Sequence, residues 1–316
     1  MIKNVKFFNP SREFELHEEE YTKIWKDVRR RGDLILRGDL EKFEKAFAKF
    51  IGTKYCVGVS NGTDAIMLAV KYLKPKKVKV PYHTFKSTVS SVIHAGSKPI
   101  FEGNSDIEIV AHIAGELSKI PKGVVIEDAA QGLGAVKNPK TFAQTWSFYP
   151  AKILGCPGDG GAITTNDKKF YEWLLEYRNH FKGTNAEWGG NYRLDNVLAA
   201  ELLIKLKRIK KTLVRRKQIA KMYLKGLIIE GGFPSDEKTR SWQDFIIATD
   251  KRDELYDFLK KNGIESMKNG YPFPIKKPKD YQKYEDATLR LPINEVLENE
   301  EVEYVIKKVN EFYARS

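Results

Sequence analysis

The sequence predicts an α/β fold, with a mainly parallel sheet in a large domain over residues 1–215 and a small C-terminal α+β domain over 216–316. Three observations carry this. Apolar strand-like runs alternate with helical patterns along most of the chain, which implies a mainly parallel sheet covered on both faces. The runs at Tyr55 to Val59 and at Val124 to Ile126 read as buried strands. A long helical pattern from about Leu194 to Leu227 then leads into a stretch that mixes strand and helix.

The elements follow in order. From Glu18 to Arg31 and from Asp39 to Ile51 apolar residues recur at helical spacing, with Asp39 placed to cap the second helix and Gly52 to end it. A strand at Tyr55 to Val59, the turn SNGTDA, a helix from Ile66 to Leu73 and a strand at Val78 to Val80 form a strand, turn, helix, strand unit. A helix from about Thr84 to Ala95 follows, then strands at Pro99 to Phe101, Ile107 to Ile113, Val124 to Asp128, Thr145 to Tyr149 and Ala162 to Thr165. A helix from Lys168 to Arg178 precedes the long one. Beyond it, Trp242 to Ala248 reads as a strand, and Asp253 to Lys261 and Glu298 to Tyr313 read as helices.

Composition narrows the class. With 316 residues, 41% of them hydrophobic, the chain can bury a full core, and its 31% charged residues are of mixed sign, as on a solvated surface. The net charge of +13 would steer phosphorylated substrates toward the protein. The densest basic run, from Lys205 to Lys217, lies on the long helix and reads as a solvated face rather than a nucleic-acid patch. Two cysteines, Cys56 and Cys156, fit a reducing cytoplasm, and no run approaches the roughly 18 apolar residues of a membrane helix. The expectation is a soluble cytoplasmic protein without nucleic-acid or membrane partners. The five histidines show no metal-ligand spacing, so no metal is expected; His83 and His112 are the two whose segments should reach a cleft.

In an α/β sheet, ligands bind beyond the carboxyl ends of the strands. Three segments converge there. Ser60 to Asp64 joins a strand to a helix, and its small residues let backbone N–H groups approach a phosphate, to which the Thr63 hydroxyl can add a bond; an ordinary capped turn reads the same way. Glu127 to Gln131 follows a buried run, where an acidic group is costly without a cation or strong donors. A pyridinium nitrogen is one such partner, and a helix cap is the alternative. Lys152 sits between the aromatic strand end Ser147-Phe148-Tyr149 and the glycine-rich Gly155 to Gly161, where partial desolvation favours a nucleophilic amine.

Taken together, the segments GDLEKFEKAFAKFIGTKYCVGVSNGTDAIMLA, VIEDAAQGLGA, SFYPAKILGCPGDGGAITTND and GGNYRLDNVLAAELLIKL, with the fainter YPFPI and LRLPINEVLENEEV, resemble the DegT/DnrJ/EryC1/StrS family of pyridoxal-phosphate-dependent sugar aminotransferases. They occur in the family's order and cover most of the chain. The resemblance implies the fold type I (aspartate aminotransferase-like) architecture and pyridoxal 5'-phosphate (PLP) as cofactor, with pyridoxamine 5'-phosphate formed in the half-reaction. It implies that Lys152 is the Schiff-base lysine and proton shuttle, that Asp128 faces the pyridine nitrogen and that Gln131 lies near the ring hydroxyl. Gly62, Thr63 and Ser147 match phosphate-binding positions, and Phe85 matches the residue that stacks on the ring. Asn191 matches the asparagine that reaches the neighbouring subunit's phosphate, which implies a homodimer with shared sites. The implied reaction moves an amino group from glutamate or glutamine to a keto group of a nucleotide-linked deoxysugar.

The chain departs from the family at Glu102-Gly103-Asn104, in a shortened stretch from there to Val124, at Leu198, and in a compressed loop between Gly134 and Trp146. A helix or crossover connection is expected to be missing and the sheet to be trimmed. Two other functions remain open at this level: the family's dehydratase branch, in which histidine replaces the lysine, and a non-catalytic regulator that binds PLP or a nucleotide sugar. Lys152 speaks against the first and the full set of cofactor residues against the second.

Overall fold

The computed structural model describes residues 4–183, 188–229, 231–232, 240–268 and 277–314. The YPFPI segment lies outside the described residues. The chain divides into two compact units, one comprising His17–Ile113 and Leu117–Ile209, the other Met1–Leu16, Ala114–Glu116 and Lys210–Ser316.

In chain order the elements are α1 (Pro10–Glu15), α2 (Glu18–Arg31), α3 (Gly38–Ile51), β1 (Tyr55–Val59), α4 (Gly62–Leu73), β2 (Lys77–Lys79), α5 (Lys86–His94), β3 (Lys98–Ile100), β4 (Ile107–Ala111) and β5 (Val125–Asp128). Then come β6 (Ala143–Ser147), β7 (Gly161–Thr165), α6 (Lys168–Tyr177), α7 (Asn196–Gly226), β8 (Phe245–Ala248), α8 (Arg252–Lys261), β9 (Met267–Lys268), α9 (Lys279–Ala287), β10 (Thr288–Leu291) and α10 (Asn299–Ala314).

The larger unit is built on a seven-stranded sheet of order β1-β7-β6-β5-β4-β2-β3. Strands β2 to β6 pair in parallel, and β7 runs antiparallel to both β6 and β1. Since β7 is the reversed strand, β1 points the same way as β6, β5, β4 and β2. Their carboxyl ends therefore share one edge. Every residue of β5 and β7 is buried, as expected of central strands covered on both faces.

Helix α3 ends at Gly52, whose φ of 88° is the left-handed conformation glycine adopts without strain. Its N-cap is Arg37 rather than Asp39. Asp39 sits in the first turn, where its carboxylate pairs with Arg31 and accepts from Asn196 Nδ2 at 3.2 Å, so it is committed to tertiary contacts and not to the helix end. Phe43 and Phe47 pack edge-on against Phe148 at 5.4 Å, and Phe47 also meets Trp146 at 5.3 Å, which fixes the end of β6 from behind.

The shortened segment carries no helix. Six residues link β3 to β4, and only a 3-10 turn at Ile113–Gly115 interrupts the passage from β4 to β5. Short links therefore join β3, β4 and β5 within the seven-stranded sheet. Asp106 explains how a short link suffices: its carboxylate accepts the N–H groups of Lys76 and Lys77 at 2.7 and 2.9 Å, which docks the link on the start of β2 and holds the carboxyl below its ordinary range.

At the free edge of β1, Gly58 offers an N–H and a C=O to no neighbouring strand. Glu44 Oε1 accepts that N–H at 2.7 Å, Arg178 Nη1 donates to that carbonyl at 2.8 Å, and the two side chains pair with each other. An ion pair thus plugs a sheet edge that would otherwise be open for pairing. Further along, Val59 bridges Arg193, and Ser60 N–H donates to the Tyr192 carbonyl at 3.1 Å.

The smaller unit holds a three-stranded antiparallel sheet, β8-β10-β9. Its core comprises Ile219, Tyr223, Trp242, Phe245, Leu255, Leu289, Val305 and Val309, joined by Val5 from the N-terminal segment. Arg216, grouped by sequence with a solvated face, is instead buried and donates to the carbonyls of Trp242, Gln243 and Ile293. Among the described residues, no helix is long and apolar enough to cross a membrane.

Candidate functional site

The shared carboxyl edge of the larger unit's sheet brings the three predicted segments together. After β1, Asn61 caps α4: its Oδ1 accepts the Asp64 N–H at 2.8 Å, and its carbonyl accepts the Ala65 N–H. The Asp64 carboxylate is itself taken by the Ser60 hydroxyl and by Asn61 Nδ2 at 2.8 Å. The N–H groups of Gly62 and Thr63 therefore stand ahead of the capped positions, at the partially positive end of the helix.

Ser147, the last residue of β6, meets this helix start. A Cβ on Gly62 would lie 2.9 Å from Ser147 Cβ and 3.5 Å from its Oγ, so only glycine allows the serine hydroxyl this close to the helix end. Gly161, which opens β7, is as constrained: its Cβ would fall 2.4 Å from the Asn61 carbonyl carbon and 2.9 Å from the Gly62 nitrogen. Backbone from both strands is thus pressed against one turn. The sequence-predicted phosphate residues Gly62, Thr63 and Ser147 converge.

Asp128 closes β5 and is buried, 6% exposed. Its Oδ1 accepts the Ala130 N–H at 3.2 Å, and its Oδ2 accepts the Thr88 hydroxyl at 2.6 Å. Gln131 lies half-buried in the turn that follows. Phe85, at the N-cap of α5, is 45% exposed. A partly exposed aromatic ring at this edge suits stacking on a planar ligand.

Lys152 occupies the turn between β6 and β7 and is half-buried. Its backbone N–H donates to the Tyr149 carbonyl at 2.8 Å, and the turn closes on Gly155, where a Cβ would sit 2.4 Å from the Pro150 carbonyl oxygen. Asn191 is exposed, its backbone bridged to Asn179. That leaves its side chain at the surface of the larger unit.

Two residues singled out by sequence take structural roles. His112 is buried, with Nε2 at 2.8 Å from Glu127 Oε2, while the Ser118 N–H donates to Nδ1 at 3.1 Å. Because Nδ1 accepts, the ring proton sits on Nε2 and points at Glu127. Cys156 is buried, and its thiol lies 3.2 Å from the Phe148 carbonyl and 3.3 Å from that of Gly158. Burial pushes this thiol up to about 12, so it stays protonated and unreactive through mildly alkaline pH. Iodoacetamide at mildly alkaline pH is expected to leave Cys156 unmodified in the folded protein and to modify it in urea, as read by peptide mass. Rapid modification of the folded protein would contradict this packing.

Two features lay beyond the motifs. One is the Thr84 and Thr88 hydroxyl pair at Asp128, whose only signal was two threonines four residues apart at a helix start. The other is the Glu44 and Arg178 plug, signalled by a carboxylate inside the apolar stripe of Leu40, Phe43 and Phe47. Among the described residues, no group of three or more His, Cys, Asp or Glu could hold a metal ion.

The parallel sheet, its reversed seventh strand and the convergence of a helix start, a buried aspartate and a lysine-bearing turn define the class: a PLP-dependent transferase of fold type I. The family profile described as the DegT/DnrJ/EryC1/StrS aminotransferase family matches residues 15–109 and 103–310, and the chain belongs to this family. It is similar to the dTDP-3-amino-3,6-dideoxy-alpha-D-galactopyranose transaminase of Aneurinibacillus thermoaerophilus, at 31% identity over 94% of this chain and 96% of the relative. It is 29% identical, over 98% of this chain and 99% of the relative, to a pleiotropic regulatory protein of Geobacillus stearothermophilus. Among solved structures, S. venezuelae DesV in complex with a ketimine intermediate superposes with a TM-score of 0.92 at 28% identity, covering 100% of both chains. The chain is an enzyme of the aminotransferase class.

Proposed function

We propose that this aminotransferase uses PLP to move an amino group from glutamate or glutamine to the keto group of a nucleotide-linked deoxysugar, as a homodimer with shared sites. The observation that carries the cofactor is the cradle at Gly62: a missing Cβ admits the Ser147 hydroxyl to the start of α4, and the donors assembled there suit a phosphate dianion. The sugar class rests on the relatives, among them a UDP-2-acetamido-2-deoxy-3-oxo-D-glucuronate aminotransferase of Pseudomonas aeruginosa, 30% identical over 79% of this chain and 81% of the relative.

In this reading the N–H groups of Gly62 and Thr63 and the hydroxyls of Thr63 and Ser147 bind the phosphate, and Phe85 covers one face of the ring. Asp128 would accept a hydrogen bond from the ring N–H and so keep the ring nitrogen protonated, and Gln131 would lie beside the ring hydroxyl. When bound, PLP supplies an electron sink for the carbanion left as the substrate's α-proton departs. Lys152 would hold the cofactor through Nζ, and as a free amine it would carry the proton between the substrate carbon and the cofactor. Asn191, exposed on each chain, reaches the phosphate of the partner's site. The retained lysine favours amine transfer over dehydration.

The test is transfer of a labelled amine. Protein loaded with PLP is treated with 15N-glutamate, freed of excess donor, and offered 3-keto and 4-keto deoxysugars linked to dTDP, UDP or GDP. The expected result is stoichiometric 15N in one sugar nucleotide by mass spectrometry. Label that stays on the protein-bound cofactor or passes only to an added α-keto acid as a 15N-amino acid, with no conversion of any sugar nucleotide, would reject the sugar acceptor. Sedimentation at the monomer mass would reject the shared site.

A further inference from the structure

We propose that Thr88 is a positioning residue, which with Thr84 fixes the Asp128 carboxylate for its contact with the cofactor. The proposal rests on the reading that Asp128 faces the ring nitrogen. Thr84, just ahead of the N-cap Phe85, and Thr88, in the first turn of α5, are both buried, at 5% and 0% exposure. Thr88 Oγ1 lies 2.6 Å from Asp128 Oδ2 and 2.6 Å from Thr84 Oγ1. A hydroxyl has one proton. Thr88 spends it on the carboxylate, so the bond between the threonines is donated by Thr84 and accepted by Thr88.

The result is a directed chain, Thr84 to Thr88 to Asp128, with polarisation along it strengthening the last bond. The Ala130 N–H holds the other carboxylate oxygen at 3.2 Å. With one donor on each oxygen the carboxylate plane is fixed, while each oxygen keeps acceptor capacity for a third partner. Asp128 is thus set before any ligand arrives. The Thr88 N–H also donates to the Phe85 carbonyl at 3.1 Å, so the turn that orients the carboxylate is the turn that carries the stacking ring. A site is only as exact as the groups that hold its contact residues.

Thr88→Val keeps the shape and removes the hydroxyl, leaving Asp128 Oδ2 buried without its donor. PLP affinity, measured by fluorescence titration of apoprotein, is expected to fall about ten- to a hundredfold. The first half-reaction with glutamate is expected to slow at least about tenfold, with the glutamate KM unchanged. Thr88→Ser, which restores the hydroxyl, is expected to recover most of both losses. Thr84→Val, which acts only through Thr88, is expected to show a smaller loss of the same kind and remains informative if Thr88→Val fails to fold.

Wild-type affinity and rate in Thr88→Val would overturn the proposal. So would a Thr88→Ser protein no better than Thr88→Val, or a Thr84→Val protein that is unchanged in both readouts. A wild-type apoprotein that takes up no PLP would remove the reading of the site, and the proposal with it; uptake by wild type with an indifferent Thr88→Val removes the positioning role alone.

Discussion

Lys152→Ala protein is expected to bind PLP without a covalent link and to run the glutamate half-reaction about 10²- to 10⁴-fold more slowly than wild type, from loss of the proton shuttle alone. Reduction with borohydride followed by proteolysis reads the first effect directly. In wild type the peptide containing Lys152 should gain the mass of the reduced cofactor; in the variant no peptide should. The backbone bond from Lys152 to the Tyr149 carbonyl and the closure of the turn on Gly155 do not depend on the lysine side chain. The turn itself should therefore survive the substitution, and circular dichroism of the variant apoprotein should match that of wild type. A borohydride-stable adduct elsewhere in the variant would assign the anchor to another lysine and withdraw the reading of this turn.

The second large effect concerns stability. Arg178→Met is expected to destabilise the protein by about 3–5 kcal/mol, because it strands a buried carboxylate. The Glu44 and Arg178 side chains are only 9% and 7% exposed. Burial already pushes the Glu44 carboxyl above its ordinary value, against the pull of Arg178 and the Gly58 N–H. Removing the arginine leaves burial less opposed and moves that carboxyl further up. For a carboxyl raised in the folded state, the stabilising contribution is fully present below the unfolded value and is lost as pH rises through the folded one. The variant should therefore be most impaired at neutral pH and partly recover in mild acid. Urea unfolding across that range checks the slope. In the double variant Glu44→Leu with Arg178→Met no charge is stranded, so it should be closer to wild type than Arg178→Met alone. Equal losses in the two proteins would show that the pair does not act as a unit.

The segments proposed to bind the cofactor were legible in the sequence because Ser60 to Asp64, Glu127 to Gln131 and Ser147 to Lys152 each lie at a strand end next to a turn, whereas Phe85 and Asn191 are named through the family resemblance alone. Gly62 and Ser147 are far apart in sequence, yet each belongs to its own short motif, and the parallel sheet needed only to bring strand ends to one edge. What the motifs could not disclose depends on pairs with no local mark. Glu44 sits within an amphipathic stripe and finds its partner 134 residues away. Thr88 is one threonine in a polar helix, and its role comes from Asp128 arriving from another strand. The start of α3 was misplaced because Asp39, a good capping type, is drawn off by Arg31 and Asn196. In the smaller unit, Leu289–Leu291 opens a family segment, but the strand Thr288–Leu291 is not evident in the sequence, since it is only four residues long and carries the buried Arg290. The polar stretch Lys279–Ala287 gives little apolar period, and its helix went unpredicted.

The plugged edge of β1 also bears on how the chain is made. Gly58 emerges from the ribosome 120 residues before Arg178. At roughly 5–20 residues per second that is about 6–24 s of synthesis. Through this interval β1 lacks its plug and, until Gly161 to Thr165 appear, its partner strand β7 as well. The proposed phosphate cradle leans on that same late strand through Gly161. Until β7 is made, the chain therefore carries the proposed binding motif in its residues without the strand that shapes it, and an open strand edge waits beside it. A translational pause in this interval would expose that edge to other nascent chains, whereas a pause after Arg178 would find it closed.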